Sequence, residues 1–325
     1  MKIQNYLQLC LIFTFITTFI FLSGCNNDPI TSNMSDDEYV QSLAVNGGYS
    51  SDNDDDDNLM SSEVLDFDAS GPVEDDGGSP FDSLVKWGRR VISVTVTTNF
   101  IINTDTLKKL EVIREISGNF VIVGYLGGSL DSVSKPYTQV QRRFLSFKRV
   151  GRSDNVRLNW RLYEYSAIDG QTTAPQLGKS NITISKIEFF KNDNLLFTLN
   201  GPDFTENVFR AKRFFGQNGI LNFVRNDELK CRVTLNSNQS DTDYVAFHWS
   251  RNTFGYHRVS FNMVSQVPNG GTFDRVYEKN FRIYTSHIHG VFNAYLSANT
   301  RSSLWSPDVN LFSSTYAGLS YRVKP

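Results

Sequence analysis

Apolar and polar residues alternate along much of the chain from residue 84 to residue 325, whereas apolar positions at helical spacing are scarce. A period of two places successive side chains on opposite faces of a strand, so this pattern predicts β-structure with one buried face. In the run 92–97, for example, Ile, Val and Val alternate with Ser, Thr and Thr. We therefore predict an all-β fold made of antiparallel sheets.

Two hairpins are predicted in the first part of this region. The first turns at Ser117-Gly118-Asn119 and the second turns at 151–155, both of which are rich in residues that favour turns. The flanking strands are predicted at 110–116, 120–125, 142–150 and 156–165. Together these elements predict an antiparallel β-meander domain over residues 84–175.

A second domain is predicted over residues 179–325. The preceding segment 171–178 is polar, contains Pro and Gly and shows no periodicity, which is typical of a boundary. Beyond it, more than seven short alternating runs are separated by turn residues, a pattern that resembles the architecture of immunoglobulin-like and fibronectin-like sandwiches. Cys231 and Trp249 are loosely similar to the Cys and Trp of such domains, although no second Cys follows.

The first 25 residues have the layout of a secretory signal. Lys2 precedes an apolar run that is shorter than the roughly 20 residues needed to span a bilayer. The run ends in Leu22-Ser23-Gly24-Cys25, which resembles the lipobox of bacterial lipoproteins. That resemblance implies cleavage before Cys25, attachment of acyl chains such as palmitate to this residue, and a membrane partner that needs no spanning helix. Asn26 follows instead of the Asp that often retains lipoproteins on the inner membrane, so we expect the outer membrane, with either its periplasmic or its external face.

Residues 26–83 contain 16 Asp and Glu and no Lys or Arg. Such a segment has little apolar surface to bury and repels itself, so we predict a disordered acidic linker between the lipid and the body. One sharper interpretation is a calcium loop, because Asp52, Asp54, Asp56 and Glu63 have suitable spacing. However, Asp57 stands where that loop needs glycine, and a solvated spacer is the better interpretation.

The acidic linker offsets a positive charge on the rest of the chain, so the net charge of the whole chain is only −2. Residues 84–325 contain 31 Lys and Arg against 18 Asp and Glu, a net charge near +13. Of the three cysteines, Cys10 leaves with the signal and Cys25 becomes the anchor. Cys231 then has no disulfide partner, and its alternating surroundings predict a buried strand position.

The sequence offers little catalytic chemistry. His287 and His289 would share a face if they lay on a strand, and with His248 or His257 they are weak candidates for a metal site. No nucleophile, zinc-protease or phosphate-loop motif with its partner motifs is present, and we predict no catalytic residue and no cofactor. A pair of carboxylates acting on glycan would leave no motif, and the glutamates considered for it are Glu111, Glu164, Glu188 and Glu278.

Positive charge is concentrated on the second predicted hairpin, where Asp154 is the only acidic residue between positions 142 and 161. Its basic residues are Arg142, Arg143, Lys148, Arg149, Arg152, Arg157 and Arg161. Tyr163 follows on the face of Arg157 and Arg161, and basic surfaces with aromatic residues bind phosphates, sulfates or uronates. The sequence thus predicts a lipid-anchored, non-catalytic envelope protein with a binding or structural role and an anionic glycan or other polyanion as its partner. The alternative is a periplasmic or extracellular glycan hydrolase.

Overall fold

The structure is a computed structural model that describes residues 34–46, 73–74, 81–211, 221–252 and 255–324. It confirms the all-β prediction, because two sheets that are almost wholly antiparallel account for most of the described chain. The immunoglobulin-like arrangement stays a prediction. The predicted signal peptide, its Cys25 and the candidate calcium loop lie outside the described residues. No helix in the described ranges is long and apolar enough to cross a membrane.

Within the described residues, the larger sheet contains twelve strands. In chain order these are β1 Val73–Glu74, β2 Ser83–Asn103, β3 Leu107–Leu126, β4 Ser129–Arg149, β5 Trp160–Ser166, β6 Ile168–Ala174, β9 Val208–Arg210, β10 Leu221–Val224, β12 Tyr244–Asn252, β13 Gly255–Ser260, β16 Gly290–Asn299 and β17 Ser314–Lys324. The main path of pairing runs β1-β2-β3-β4-β6-β17-β16-β12-β13, while β5 pairs with β4 and β9, and β10 lies parallel to β17.

The part of the smaller sheet that the structure describes has five strands, in the order β14-β15-β11-β7-β8. Their bounds are β7 Ile182–Lys191, β8 Asn194–Asn200, β11 Glu228–Ser237, β14 Asn262–Asn269 and β15 Thr272–Arg282. Strand β11 alternates between buried and half-buried positions, and Cys231 is fully buried there, as predicted. The inner face of this sheet packs on the larger one, for instance through Phe189 and Phe247, whose ring centroids are 6.0 Å apart.

The first predicted hairpin is wrong, because β3 runs without a turn through Ser117-Gly118-Asn119. Gly118 is needed there for a close approach between strands: a Cβ atom at this position would lie 2.3 Å from the carbonyl oxygen of Arg90. The chain reverses instead at 104–106 and at Gly127-Gly128, whose positive φ values of 58° and 78° suit glycine. As a result β2, β3 and β4 form one meander of strands 20 or 21 residues long.

The sheet also continues across the domain boundary that the sequence suggests at 171–178. Strand β17 near the end of the chain pairs with β6 on one side and with β16 on the other. Strands of the predicted segments 84–175 and 179–325 therefore pair with each other in the larger sheet. Two short helices, α2 Gly178–Asn181 and α3 Arg301–Trp305, lie in the connections.

The prediction of a disordered linker is wrong for part of its length, because Asp36–Asn46 forms a helix, α1, that packs on the body. Val40 and Ala44 are buried in the main core, since the few apolar residues of this segment fall at helical spacing. Ser35 and Glu38 form a capping box: the Ser35 amide donates to Glu38 Oε2 at 2.8 Å, and the Glu38 amide donates to Ser35 Oγ at 3.3 Å. The Ser35 amide and hydroxyl lower the pKa of Glu38.

Candidate anion-binding surface

The basic surface is built where β4 and β5 pair. Lys148 lies directly opposite Arg161 in this antiparallel pair, so both side chains leave the same face. The neighbouring positions Phe147 and Leu162 point into the core. Apolar alternation thus fixes which face of the hairpin carries the charges.

An aromatic ring lies at the centre of this surface. The Nζ atom of Lys148 is 3.5 Å from the ring centroid of Tyr163, and the Cζ atom of Arg210 is 5.4 Å from the same centroid. A cation over an aromatic face is attracted by the ring quadrupole, which holds both positive groups near Tyr163. Arg210 belongs to β9 and reaches this position because it lies opposite Glu164 of β5 in the strand pair. Its Nε also forms an ion pair with Glu164 Oε1 at 3.4 Å.

The loop that precedes β5 carries two further cations, Arg152 and Arg157, both exposed. The side chain of Asn159 holds this loop: its Oδ1 accepts from the Ser153 amide at 2.6 Å, and its Nδ2 donates to the Ser153 carbonyl at 2.8 Å. Arg161 is fixed as well, since Nη1 donates to the carbonyl oxygen of Arg157 at 2.6 Å. The basic side chains therefore lie on an ordered frame.

The predicted strand 156–165 begins later than expected. Residues Val156–Leu158 form a 3-10 turn capped by Asn155, and β5 starts at Trp160. Leu158 lies in this turn and is 52% exposed. The Asn155 side chain, which accepts from the Arg157 amide at 3.1 Å, competes with strand pairing at this point.

Three of the seven predicted basic residues lie elsewhere or are already neutralised. Arg143 is buried with its guanidinium 5.7 Å from the ring centroid of Tyr165, and burial lowers its pKa to about 10. Arg142 forms ion pairs with Glu111, at 3.8 Å, and with Asp203. Arg149 forms an ion pair with Asp36 of the helix α1.

Helix α1 places acidic side chains against the basic hairpin. Asp36 forms an ion pair with Arg149, and Asp37 forms one with Lys108, whose Nζ lies 5.0 Å from the ring centroid of Trp160. The hydrogen bonds from Lys108 and Asn103 lower the pKa of Asp37. The residues left without an acidic partner among the described ones are Lys148, Arg152, Arg157 and Arg161, and we call this set, together with Tyr163 and Arg210, the basic patch.

The structure separates the candidate metal ligands. His287 is buried in a loop and not on a strand, with Nε2 3.2 Å from the Tyr321 hydroxyl, while His289 is exposed. His248 is buried at a different place, with Nε2 2.9 Å from Ser297 Oγ, and burial lowers its pKa well below the usual value. No group of three potential metal-ligating side chains occurs within the described ranges. The side chain of His257 lies outside the described part of the structure.

The four glutamates considered for hydrolysis each have a basic neighbour. Beside the pairs of Glu111 and Glu164 given above, Lys186 lies 3.0 Å from Glu188 and Arg232 lies 2.5 Å from Glu278. These contacts make them members of ion pairs on the sheet faces.

Two parts of this surface were missed by reasoning from the sequence. The approach of Arg210 depends on a strand pair that joins residues 42 to 46 positions apart, which no local pattern reveals. The helix that carries Asp36 had a local signal, the capping box from Ser35 to Glu38, but the acidic composition outweighed it in our interpretation. Comparisons of the chain with protein-family models, curated proteins and solved structures find no match.

Proposed function

We propose that the protein is a lipid-anchored, non-catalytic component of the cell envelope that binds an anionic polymer through the basic patch. The observation that carries this proposal is the arrangement of Lys148, Arg161 and Arg210 around Tyr163, on a frame held by strand pairing and by Asn159. Sulfate, phosphate or uronate groups repeated along a polymer would meet several of these cations at once.

The contacts of α1 support the choice of an anionic ligand. Asp36 and Asp37 of α1 form ion pairs with Arg149 and Lys108, so a short acidic sequence is bound to cations of the larger sheet. Arg149 follows Lys148 on β4, so these ion pairs form on the other face of the strand and do not involve the cations of the basic patch.

Heparin binding tests the proposal. We expect the full chain, purified in detergent, to bind heparin at low salt and to release it as salt rises, because exposed charges are screened over about 8 Å at physiological ionic strength. Lys148→Gln with Arg161→Gln should weaken binding roughly tenfold, since each exposed charge contact contributes up to about 1 kcal/mol. The matched control, Lys186→Gln with Lys191→Gln, removes the same charge from the smaller sheet and should leave affinity nearly unchanged. Equal losses in the two variants, or no binding at low salt, would contradict the proposal.

The lipid anchor is tested separately at Cys25. We expect Cys25→Ala to leave the chain unacylated, so that it no longer sediments with membranes, because the acyl chains supply the membrane affinity. The readout is the distribution between membrane and soluble fractions, with Cys231→Ala as the control. A Cys25→Ala protein that stays in the membrane fraction after its signal has been cut would show that another element anchors the chain.

A further inference from the structure

Strand β2 forms an edge of the larger sheet over much of its length. It pairs with β3 along one side, whereas on its other side the described residues provide only β1, opposite Ser83 and Leu84. From Val91 to Asn103 no described strand pairs with this side. Its backbone donors and acceptors on this side have no strand partner among the described residues.

This edge lacks the features that usually prevent pairing. The fourteen residues 91–104 include no charged residue and no proline, and Val, Ile and Thr predominate. Ile92 and Ile101 are 68% and 55% exposed. Natural edge strands are normally protected by lysine, proline or short length. By contrast, the edge strand β14 of the smaller sheet is eight residues long and contains Pro268.

Charges at the two ends of this run point to the identity of the partner. Arg90 precedes it and Asp105 follows it; both are exposed, and neither has an ion-pair partner among the described residues. Thr97 is the outward-facing residue at the middle, seven positions after Arg90 and eight before Asp105. If two copies of β2 pair antiparallel about Thr97, Arg90 of each copy comes within one residue of Asp105 of the other.

We propose that β2 is a self-association surface, through which two copies of this chain join their larger sheets in one antiparallel pair. Two-fold symmetry makes the edge its own complement: uncharged residues face uncharged residues, and an Arg–Asp ion pair closes each end. The exposed Ile92 then lies opposite Ile102 of the second copy, and Ile101 lies opposite Ser93. The inference does not depend on the ligand of the basic patch or on the lipid anchor.

Cross-linking in intact cells tests the geometry. Full chains with Thr97→Cys should be joined by a short bismaleimide into a species of twice the chain mass, because the two copies of residue 97 face each other. Ser93→Cys is the matched control, exposed on the same strand but about 27 Å from its counterpart in the proposed pair, so it should not cross-link. Equal cross-linking at both positions, or at neither, overturns the proposal. A product of any other mass also overturns it and would indicate a different protein on the edge.

A charge exchange tests the register. In the Thr97→Cys background, Arg90→Glu alone or Asp105→Lys alone places like charges together and should lower the cross-linked fraction by about fivefold. The variant that carries both changes restores opposite charges and should recover most of the product. Failure of the double variant to recover, while both single variants lose cross-linking, would overturn this register.

Discussion

Each sheet contains a buried cation that holds a neighbouring loop, and the two cations are compensated in different ways. In the larger sheet, Lys135 of β4 is fully buried, and its Nζ donates to the carbonyl oxygens of Ser302, Ser303 and Leu311 at 2.8 to 2.9 Å. These three carbonyls belong to α3 and the segment after it, so the lysine fastens that connection to the meander.

In the smaller sheet, Arg275 of β15 is also fully buried, but it faces a carboxylate. Its Nη1 lies 2.6 Å from Asp243 Oδ2, and its Nε donates to Gln266 Oε1 at 2.8 Å. The remaining donors contact the carbonyl oxygens of residues 239–241, which fastens the loop before β12. Burial raises the pKa of Asp243 to about 6, with the guanidinium of Arg275 acting in the opposite direction.

The difference follows from the number of donors. An ammonium has three, and three backbone carbonyls can satisfy them all, whereas a guanidinium has five and needs side-chain acceptors as well. Lys135 has no ion-pair partner among the described residues. Asp308 opposes the lowering of the pKa of Lys135 by burial but forms no ion pair with it. The charge of Arg275 is thus balanced by the opposite charge of Asp243, whereas the ammonium of Lys135 is hydrogen-bonded to three carbonyl oxygens.

The largest effect should come from breaking the charged pair. Arg275→Met should lower the free energy of unfolding by about 3–5 kcal/mol, because it leaves Asp243 buried without its partner. Denaturant titration measures this loss. Arg282→Met is the matched control on the same strand: its pair with Glu228 is exposed and should contribute less than about 1 kcal/mol. Similar losses for the two variants would show that burial does not decide the strength of these pairs.

A smaller loss is expected in the larger sheet. Lys135→Met should cost about 2 kcal/mol, because three carbonyls lose a hydrogen bond worth about 1 kcal/mol each while the cost of a buried charge disappears. The same titration measures it, with Lys186→Met, an exposed lysine in the smaller sheet, as the control. A loss as large as that of Arg275→Met would mean that removing a cation from three carbonyl oxygens costs as much free energy of unfolding as removing one from a buried carboxylate. The contrast between Lys135 and Arg275 would then fail.

Much of this architecture could be predicted from the sequence, because alternation reflects burial directly. The strand character of β11 and the outward face of Lys148 and Arg161 follow from it. The continuous β3 could not be predicted, since Gly118 is required by the distance to the Arg90 carbonyl and looks locally like a turn residue. Contacts made by residues distant in the chain, such as Lys135 with α3, are set by sheet topology and leave no local pattern.

The burial of Arg143 shows the same limit for the candidate site. Within a run of basic residues, alternation assigns a side chain to a face, but only the packing of the sheet decides whether a guanidinium on the inner face is tolerated. Here it lies over the ring of Tyr165. Composition misled us at α1 for the opposite reason, because a few apolar residues, among them Val40, outweigh the surrounding acidic ones once a core is present to receive them.

The smallest expected effect is a change with pH in the free energy of unfolding. It tests whether carbonyl oxygens compensate Lys135 as fully as a carboxylate compensates Arg275. Burial lowers the pKa of Lys135 from its usual value to about 7. Between about pH 7 and pH 10 the unfolded chain therefore binds a proton at this residue that the folded chain does not, and stability rises with pH across that range. Compared with Lys135→Met, the unmodified protein should gain about 1 kcal/mol or more between pH 7 and pH 9, because the variant lacks the titrating group and all other groups are shared. Denaturant titrations of both proteins at pH 7, 8 and 9 give this difference. If the two stabilities change in parallel, the three carbonyls keep Lys135 charged throughout, and backbone dipoles compensate a buried cation as fully as Asp243 compensates Arg275.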